Sequence, residues 1–351
     1  MFVAWRDIRF ARGRFALIVA VVTLITILVG FLSGLTGGLA WQNISGVVSL
    51  PADRVVLAPS STGATPSLAD SAVTTAQKTE WANSPGIDSV TGLGISQLRA
   101  QTSDERIAVA VYGEDDVAGV SKGDVLLSTP AASELNAAVG DTVTIAGLDF
   151  TVSAVAGDDW YSHTPIVRLT LGDWQALQAA TGNNDAFATA LLVKGEASWS
   201  TVDAEAGTTS ASVVGALATL PAFRSEIGSL LLIVALLFGI SSLVVGAFFT
   251  VWTMQRRGDV AILKALGAST SALRRDALGQ ALVVLTGGTA VGMLVVTGAG
   301  LAIQGSLPFL LSPLTTVVPA LLMIVVGLVG AAFALRSVTT ADPLTALGSN
   351  R

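Results

Sequence analysis

The chain contains no cysteine and only one histidine, His163, among its 351 residues. The lack of cysteine excludes disulfide bonds and thiolate metal sites, and a single histidine excludes a histidine cluster within the chain. Charged residues are also scarce, at 13%, whereas hydrophobic residues make up 52% and the mean hydropathy is +0.69. Soluble globular domains carry about twice that share of charge, so the composition indicates an integral membrane protein with a water-exposed part.

Motifs for nucleotide hydrolysis and for nucleophilic catalysis are missing as well. None of the four lysines follows a glycine-rich phosphate loop, which excludes a P-loop ATPase. His163 has no nucleophile elbow near it, so we interpret it as a surface or loop histidine. The acidic turns 114–116 and 158–159 lack the spacing of a calcium loop, and we predict no metal site. The sequence favours neither an enzyme nor a nucleic-acid-binding protein.

Long apolar runs are abundant, and they predict four transmembrane helices. Each run is long enough to cross a hydrocarbon core of about 30 Å as a helix. We place the spans at residues 15–41, 229–255, 273–303 and 316–336. The first run exceeds the apolar core of a signal peptide, which is about 7–15 residues long, so it predicts a retained span.

Residues 42–228 have a different texture, with turn signals, small polar residues and alternating β-branched runs. The predicted strands lie at 54–58, 106–113, 141–147 and 149–157, and the last two form a β-hairpin joined at Gly147-Leu148. The predicted helices lie at 74–83, 131–138 and 171–180. The fold class is therefore an α-helical membrane protein with four transmembrane helices and an α/β extracytoplasmic domain inserted between the first two.

The charges predict the orientation. Residues 1–14, 255–276 and 336–351 hold eleven of the nineteen Lys and Arg residues and only four of the twenty-five acids. All other charges lie in 42–228. Because cytoplasmic segments carry an excess of Lys and Arg, we predict a multi-pass protein of the cell membrane with both termini in the cytoplasm.

Short segments flank the spans. Residues 1–14 predict an amphipathic cytoplasmic helix, 304–315 an uncharged outer loop and 337–351 a cytoplasmic tail. Residues 256–269 place apolar side chains on one helical face and are too short to span a membrane. They predict a cytoplasmic helix along the membrane surface.

Several motifs resemble those of one family. RRGDVAILKALGAS at 256–269 resembles the R-x-x-E-I-x-x-L-K-A-L-G-A signature of permease subunits of the MacB/FtsX class of ABC transporters, with Asp259-Val260 in place of Glu-Ile. ADPLTAL at 341–347 resembles the closing D-P-x-x-A-L motif of that class, and residues 139–157 resemble a hairpin of its outer domain. The sequence at 30–43 is most similar to the HrtB-type haem-efflux permeases of Gram-positive bacteria.

The resemblance covers the whole chain and implies a partner protein. It implies a homodimer that works with two copies of a separate ATPase, which binds ATP and Mg, and haem as the transported substrate. The helix at 256–269 would couple to a groove on the ATPase. The residues expected to make that contact are Arg256, Arg257, Asp259, Ile262, Leu263, Lys264 and Leu266.

A substrate site is expected at the outer ends of the first two spans. Glu226 and Arg224 are the charged residues at that mouth, and a carboxylate at the edge of lipid is a functional candidate. For haem, Glu226 would ligate the iron where histidine and cysteine are absent, Arg224 would pair with a propionate, and Phe223 and Trp41 would form apolar walls. The alternative is a snorkelling pair that caps the second span.

Gly30, Gly34 and Gly38 recur at every fourth position of the first span and form a flat ridge. We expect either a homodimer contact or helix packing within one subunit. Met293 and Met323, in the later spans, are expected to be packing residues.

Two other functions are compatible with the same class. One is the export of a lipoprotein, a glycolipid or an antimicrobial peptide. The other is transmembrane signalling of the FtsX kind, which activates a cell-wall hydrolase and would require an exposed apolar hook on the outer domain. No long exposed apolar run is visible there, which favours transport.

Overall fold

A computed structural model describes residues 12–59, 66–182, 186–255, 267, 269–303 and 305–339. The helices in these ranges are α1 (Arg12–Val48), α2 (Thr75–Asn83), α3 (Thr129–Leu135), α4 (Leu171–Ala180), α5 (Trp199–Ala206), α6 (Val213–Ala216), α7 (Pro221–Gln255), α8 (Thr270–Ile303) and α9 (Pro313–Thr339). Among them, α1, α7, α8 and α9 are long and apolar enough to cross a membrane. An α/β domain separates α1 from α7 in the sequence, which confirms the predicted fold class.

Two compact units divide the chain, with boundaries after Gly38 and after Ile227. The first boundary falls within α1, which continues past the predicted span limit at residue 41 and ends at Val48. The extension is helical because Asn43 and Ser45, although polar, are buried and hydrogen-bonded in the domain. At 37 residues, α1 is about 55 Å long, well beyond the thickness of a hydrocarbon core.

In the helical unit, small residues allow α1 and α8 to approach closely. A Cβ added at Gly288 would lie 2.8 Å from Val22, and one added at Gly292 would lie 2.7 Å from Thr26. Thr23 Oγ1 donates a hydrogen bond to the Gly288 carbonyl oxygen at 3.1 Å. Lipid supplies no hydrophobic driving force between helices, so this close backbone approach is what holds the pair together.

The glycine ridge of α1 is covered by the same chain. The space beside Gly30 is filled by Met293 and Val296 of α8, as expected for a packing methionine. The space beside Gly34 is filled by the Phe309 ring, and that beside Gly38 by the Pro308 carbonyl. The Leu310 N–H also donates to the Gly34 carbonyl oxygen at 3.0 Å. Of the two expectations for this ridge, the structure supports packing within one subunit over a homodimer contact, because α8 and the segment before α9 already occupy the ridge.

Side chains from all four long helices form the core of this unit. Its buried members are Ile18, Val22, Val245, Phe249, Ala281, Val284, Leu285, Ala331 and Ala334. Met323 is buried as well, which confirms its expected packing role. The faces that point away from this core carry leucine and valine side chains, as lipid-facing surfaces do.

The domain is built on ten strands in the described residues. They are β1 (Arg54–Leu57), β2 (Ile87–Gln101), β3 (Arg106–Glu114), β4 (Asp124–Leu127), β5 (Thr142–Ile145), β6 (Leu148–Val155), β7 (Trp160–Tyr161), β8 (Thr164–Thr170), β9 (Ala190–Gly195) and β10 (Thr209–Ala211). Their order is β10-β1-β9-β2-β3-β8-β4-β6-β5, with β7 paired to β8. The end of β2 also pairs with β5, so the strands from β2 to β5 along this path close into a ring.

Alternate residues of the strands face two hydrophobic cores. On β3, Val109 and Val111 belong to one core, and Ala110 and Tyr112 belong to the other, as the two-residue period of a strand requires. The first core is covered by α2 to α5. The second core is filled by the end of α1, by Tyr161 of β7 and by residues 213–220. This second core supports the candidate site described below.

Local signals predicted part of the domain correctly. α4 begins where Thr170 Oγ1 accepts a hydrogen bond from the Asp173 N–H, as the sequence predicts. β5 and β6 form the predicted hairpin, and its turn residues Ala146 and Gly147 have φ values of 49° and 83°. The helix predicted at 131–138 was placed too late. It begins after the Ser128 cap and ends at Leu135, and the residue that caps its end, Asn136, has φ 48°.

The longest strand, β2, has no strand signal in the sequence. Its residues include Gly92 and Gly94, which interrupt the alternation that predicts a strand. The structure explains one of these glycines. A Cβ at Gly94 would lie 2.2 Å from the buried indole of Trp174, and Gly113 of the neighbouring β3 has the same constraint. These two glycines therefore make room for a tryptophan of α4.

We expect Gly38→Ala to destabilise the helical unit by about 1–3 kcal/mol, because the new Cβ would lie 1.9 Å from the Pro308 carbonyl oxygen and the backbone would have to move. Thermal unfolding in detergent measures the effect. Gly298→Ala is the matched control, because nothing lies within 4 Å of that Cβ position on α8. Equal unfolding temperatures for the two variants would contradict the packing described for the ridge.

Candidate functional site

Three side chains from distant parts of the sequence meet in the domain unit. Glu226 lies on the second turn of α7, Asn43 lies near the end of α1, and His163 lies in the turn between β7 and β8. The Oε2 atom of Glu226 accepts a hydrogen bond from Asn43 Nδ2 at 3.0 Å and shares a second one with His163 Nε2 at 2.9 Å. We call these three residues the carboxylate cluster.

The carboxylate cluster has a buried side and an open side. Asn43 is 1% exposed, whereas the side chains of His163 and Glu226 are 37% and 29% exposed. Burial of an amide is costly unless it is hydrogen-bonded, and the bond to a carboxylate offsets that cost. Asn43 Oδ1 has no hydrogen-bond partner among the described residues, so Nδ2 makes the recorded bond of this amide. Asn43 thus holds the Glu226 carboxylate on its buried side, while solvent reaches the carboxylate from the exposed side.

The direction of the hydrogen bonds follows from the chemistry of the groups. An ionised carboxylate only accepts, so His163 Nε2 carries the proton that lies between it and Glu226. Asn43 Nδ2 is 3.4 Å from the same nitrogen, and both donors therefore converge on one oxygen. Each carboxylate oxygen accepts about two hydrogen bonds, so Oε2 is saturated by these two partners.

A strained turn positions His163. Ser162 and His163 have φ values of 49° and 63°, in the left-handed region that glycine and asparagine prefer. Such a turn suits the tight β7–β8 hairpin but is costly for side chains other than glycine. The backbone N–H groups of both residues donate at 3.0 Å to carbonyl oxygens of α1, those of Asn43 and Gln42. These bonds to α1 keep the turn, and with it the imidazole, in place.

A serine of α1 fixes the other end of the hairpin. Ser45 Oγ accepts a hydrogen bond from the Trp160 N–H at 2.8 Å and lies 3.3 Å from the Trp160 carbonyl oxygen, to which it donates. Ser45 is buried, so no solvent competes for these bonds. The short β7–β8 hairpin is therefore bonded to α1 at both its strand and its turn.

The interpretation of His163 as a surface or loop histidine agrees with its place in the turn and its partial exposure, but it did not include a hydrogen bond to another side chain. His163 does lie in a turn, but it is bonded to the very carboxylate that the sequence selects as the candidate ligand. The expectation that histidine is absent from this site is therefore wrong. The two residues are 63 positions apart, and no sequence pattern connects them. The available signal was only that the chain has one histidine and that it lies in a turn.

The other predicted substrate-binding residues have different surroundings. Trp41 belongs to the same unit and is 43% exposed, as an apolar wall would have to be. Phe223 is partly buried and packs against the second hydrophobic core of the domain, so part of its side chain contributes to the fold. The side chain of Arg224 lies outside the described part of the structure.

The described residues contain no group of three or more His, Cys, Asp or Glu side chains that could hold a metal ion. The carboxylate cluster provides one carboxylate and one imidazole. This donor set is too small for a resident metal ion, but one ligand suffices for an iron that a porphyrin already holds in its plane.

The predicted coupling residues, from Arg256 to Leu266, lie outside the described residues. The next described helix, α8, begins with a side-chain cap. Ser269 Oγ accepts a hydrogen bond from the Ala272 N–H at 3.2 Å and caps the helix.

We expect Ser45→Ala to loosen the β7–β8 hairpin, because the Trp160 N–H would lose its acceptor at a cost of about 1–2 kcal/mol. Amide hydrogen exchange of the full-length protein measures this effect locally, and exchange in the hairpin should quicken about tenfold. Ser49→Ala, at an exposed position of the same segment, is the control. Unchanged exchange in Ser45→Ala would show that the bond to α1 does not hold the hairpin.

Comparison with known proteins links this architecture to membrane permeases. Residues 230–343 match the family model of the FtsX-like permease C-terminal domain. The chain is 25% identical to a putative hemin transport system permease protein HrtB of Staphylococcus haemolyticus, over 99% of both chains. It is 22% identical to the protein of that name from Staphylococcus epidermidis, over 100% of both chains.

Among solved structures, the periplasmic region of MacB from Actinobacillus actinomycetemcomitans matches 50% of this chain and 94% of its own, with 12% identity and a TM-score of 0.36. The family model includes most of α7 and all of α8 and α9, which are three of the four long apolar helices. The sequence matches agree with the resemblance found at residues 256–269 and 341–347. Residues 230–343 are therefore similar to the FtsX-like permease C-terminal domain, and the full chain is similar to proteins named as hemin transport permeases.

Proposed function

We propose that the chain is the permease subunit of an ABC transporter that takes haem, an amphiphilic substrate, from the membrane and expels it. The observation that carries this proposal is the carboxylate cluster, which holds a partly exposed glutamate at the start of the second long apolar helix. Two relatives that match the full chain are named as hemin transport permeases, which supports haem over other amphiphiles.

Apart from His163, the other common protein ligands of haem iron are absent or buried in the domain unit, which supports Glu226 as the ligand. Cysteine is absent, and the two tyrosines, Tyr112 and Tyr161, are buried. Burial raises the pKa of the Tyr161 phenol to about 12 and raises the pKa of Tyr112 well above its ordinary value. Haem proteins with a tyrosine ligand use the phenolate, which neither residue supplies at neutral pH. Among the carboxylates and the imidazole that remain in the domain unit, Glu226 and His163 form the pair that lies at the start of the long apolar helix α7.

We assign the iron bond to Glu226 and not to His163. The proton on His163 Nε2 is shared with the carboxylate, which leaves Nδ1 as the ring nitrogen with a lone pair, whereas Glu226 keeps Oε1 for a metal and lies on the long apolar helix α7. In a homodimer, the two copies of Glu226 would offer one carboxylate to each face of a flat porphyrin. Arg224 would pair with a propionate and Trp41 would cover part of the ring, while Phe223 supports the wall from within the fold.

The energy for transport would come from a separate ATPase. In this proposal, both termini and residues 256–269 are cytoplasmic, and the domain lies outside the membrane. Two copies of the ATPase would bind ATP and Mg, and their closure would move the 256–269 helix. Since α7 is one helix from Pro221 to Gln255, a tilt imposed at its cytoplasmic end would reach the segment that carries Glu226.

We expect purified wild-type protein in detergent to bind haem saturably, with a Soret band that differs from that of free haem. Glu226→Ala should lower the affinity by more than about 100-fold, because even the partners that orient a ligand contribute about 10–100-fold. Glu205→Ala, at an exposed glutamate of α5, is the matched control and should bind as the wild type does. If Glu226→Ala binds haem as tightly as the wild type does, the ligand of the iron lies elsewhere. If the wild type shows no specific binding, haem is excluded as the substrate.

The proposed coupling helix has its own test. Leu266→Asp would place a charge on the apolar face that meets the ATPase, and it should lower ATP-driven haem efflux from proteoliposomes about tenfold or more. Haem binding in detergent should stay at the wild-type level. Ala261→Asp introduces the same charge on the opposite helical face and serves as the control. Equal losses in the two variants would mean that added charge, and not the apolar contact, causes the defect.

A further inference from the structure

We infer that His163 is a positioning residue for Glu226: with Asn43, it binds one carboxylate oxygen so that the other oxygen is presented to the haem iron. The inference rests on the proposed function, because it concerns the ligand of that same site. His163 lies neither at the end of a long apolar helix nor in the family motifs of the sequence.

The two carboxylate oxygens of Glu226 have different surroundings. Both recorded hydrogen bonds of this side chain end on Oε2, and none of the described residues donates to Oε1. Two donors fill the lone-pair positions of Oε2, so a further electrophile would bind at Oε1. The carboxylate is therefore oriented before the substrate arrives.

The two donors to Glu226, Asn43 and His163, lie on fixed elements. Asn43 is buried in the extension of α1, and His163 is fixed by the turn whose N–H groups bond to α1. A glutamate at the start of a helix otherwise samples several rotamers, and the selection of one of them has an entropic cost. Two donors on fixed elements select one rotamer in advance, which is how hydrogen-bonded partners orient metal ligands.

The residue type at position 163 of the β7–β8 turn is unusual for its backbone conformation. With φ 63°, position 163 would be less strained as glycine, and yet it carries a histidine whose imidazole reaches Glu226. A strained residue that persists at a partly exposed site is a signal of function when its side chain makes a specific contact. The alternative, that His163 itself also binds the same iron, conflicts with the geometry. Axial ligands lie on opposite faces of a haem, whereas Nε2 and Oε2 are hydrogen-bonded to each other at 2.9 Å.

The test uses His163→Gly in the full-length protein, read by haem titration and by the ligand-sensitive absorption bands of ferric haem. Glycine suits the backbone at this position, so the variant removes the imidazole without straining the turn. We expect the haem affinity to fall about 10–100-fold and the absorption bands to change, because the carboxylate loses one of its two donors. His163→Gln, which offers an N–H of similar reach, should restore most of both.

Ser162→Gly is the matched control, because it relaxes the same turn and leaves both donors to Glu226 in place. It should bind haem with wild-type affinity and spectrum. If His163→Gly binds with wild-type affinity and spectrum, the positioning role is overturned and haem transport stands. If His163→Gly and His163→Gln both lose binding while Glu226→Gln keeps it, the imidazole is the ligand and the inference is again wrong. No specific binding by the wild type would overturn both the inference and the proposed substrate.

Discussion

The arrangement of the candidate site depends on a single carboxylate oxygen. Glu226 Oε2 joins the end of α1, the β7–β8 turn and the start of α7, three elements that are far apart in the sequence. Each element is held by more than this oxygen, because the hairpin is also bonded to α1 through Ser45 and through two backbone N–H groups. The result is a polar arrangement above a hydrophobic core, in which a charged group is fixed without being fully buried. A fully buried carboxylate would need a compensating charge, whereas this one needs only two donors and solvent.

Helix α1 serves two packing roles that require different residues. Along residues 22–38 it presents small side chains, and α8 and the segment before α9 lie directly against its backbone. From Asn43 to Val47 it presents polar and aliphatic side chains that belong to the domain. A charge-free sequence from residue 15 onwards reveals only the first role, since hydropathy does not distinguish a lipid-facing helix from one that enters a folded domain. The polar residues that follow Trp41 read as the end of a helix, although they are its continuation.

This contrast explains how much of the protein could be predicted from its sequence. Spans, the β5–β6 hairpin and the Thr170 cap rest on local patterns, and all of them are present in the structure. The strand β2 was missed because its Gly94 makes room for the side chain of Trp174, a residue some 80 positions away in the sequence. His163 was missed for the same kind of reason, since its role depends on a contact with a residue 63 positions away. Glu226 is a candidate from the sequence alone, because a carboxylate at the end of an apolar run is conspicuous without any knowledge of its partners, and its role as a ligand stays a prediction.

The chemistry of the cluster also suits a protein that must release what it binds. Imidazole and thiolate are strong ligands for iron, and a carboxylate is a harder and weaker one. In the proposed site the imidazole donates its Nε2 proton to the carboxylate, and the assigned iron ligand is the weaker of the two groups. The same hydrogen bonds draw electron density from the carboxylate and weaken it further as a donor. A resident cofactor site would be expected to use the strongest available ligand, whereas a transport site must hold its cargo only until the conformation changes. The pairing of His163 with Glu226 meets that second requirement.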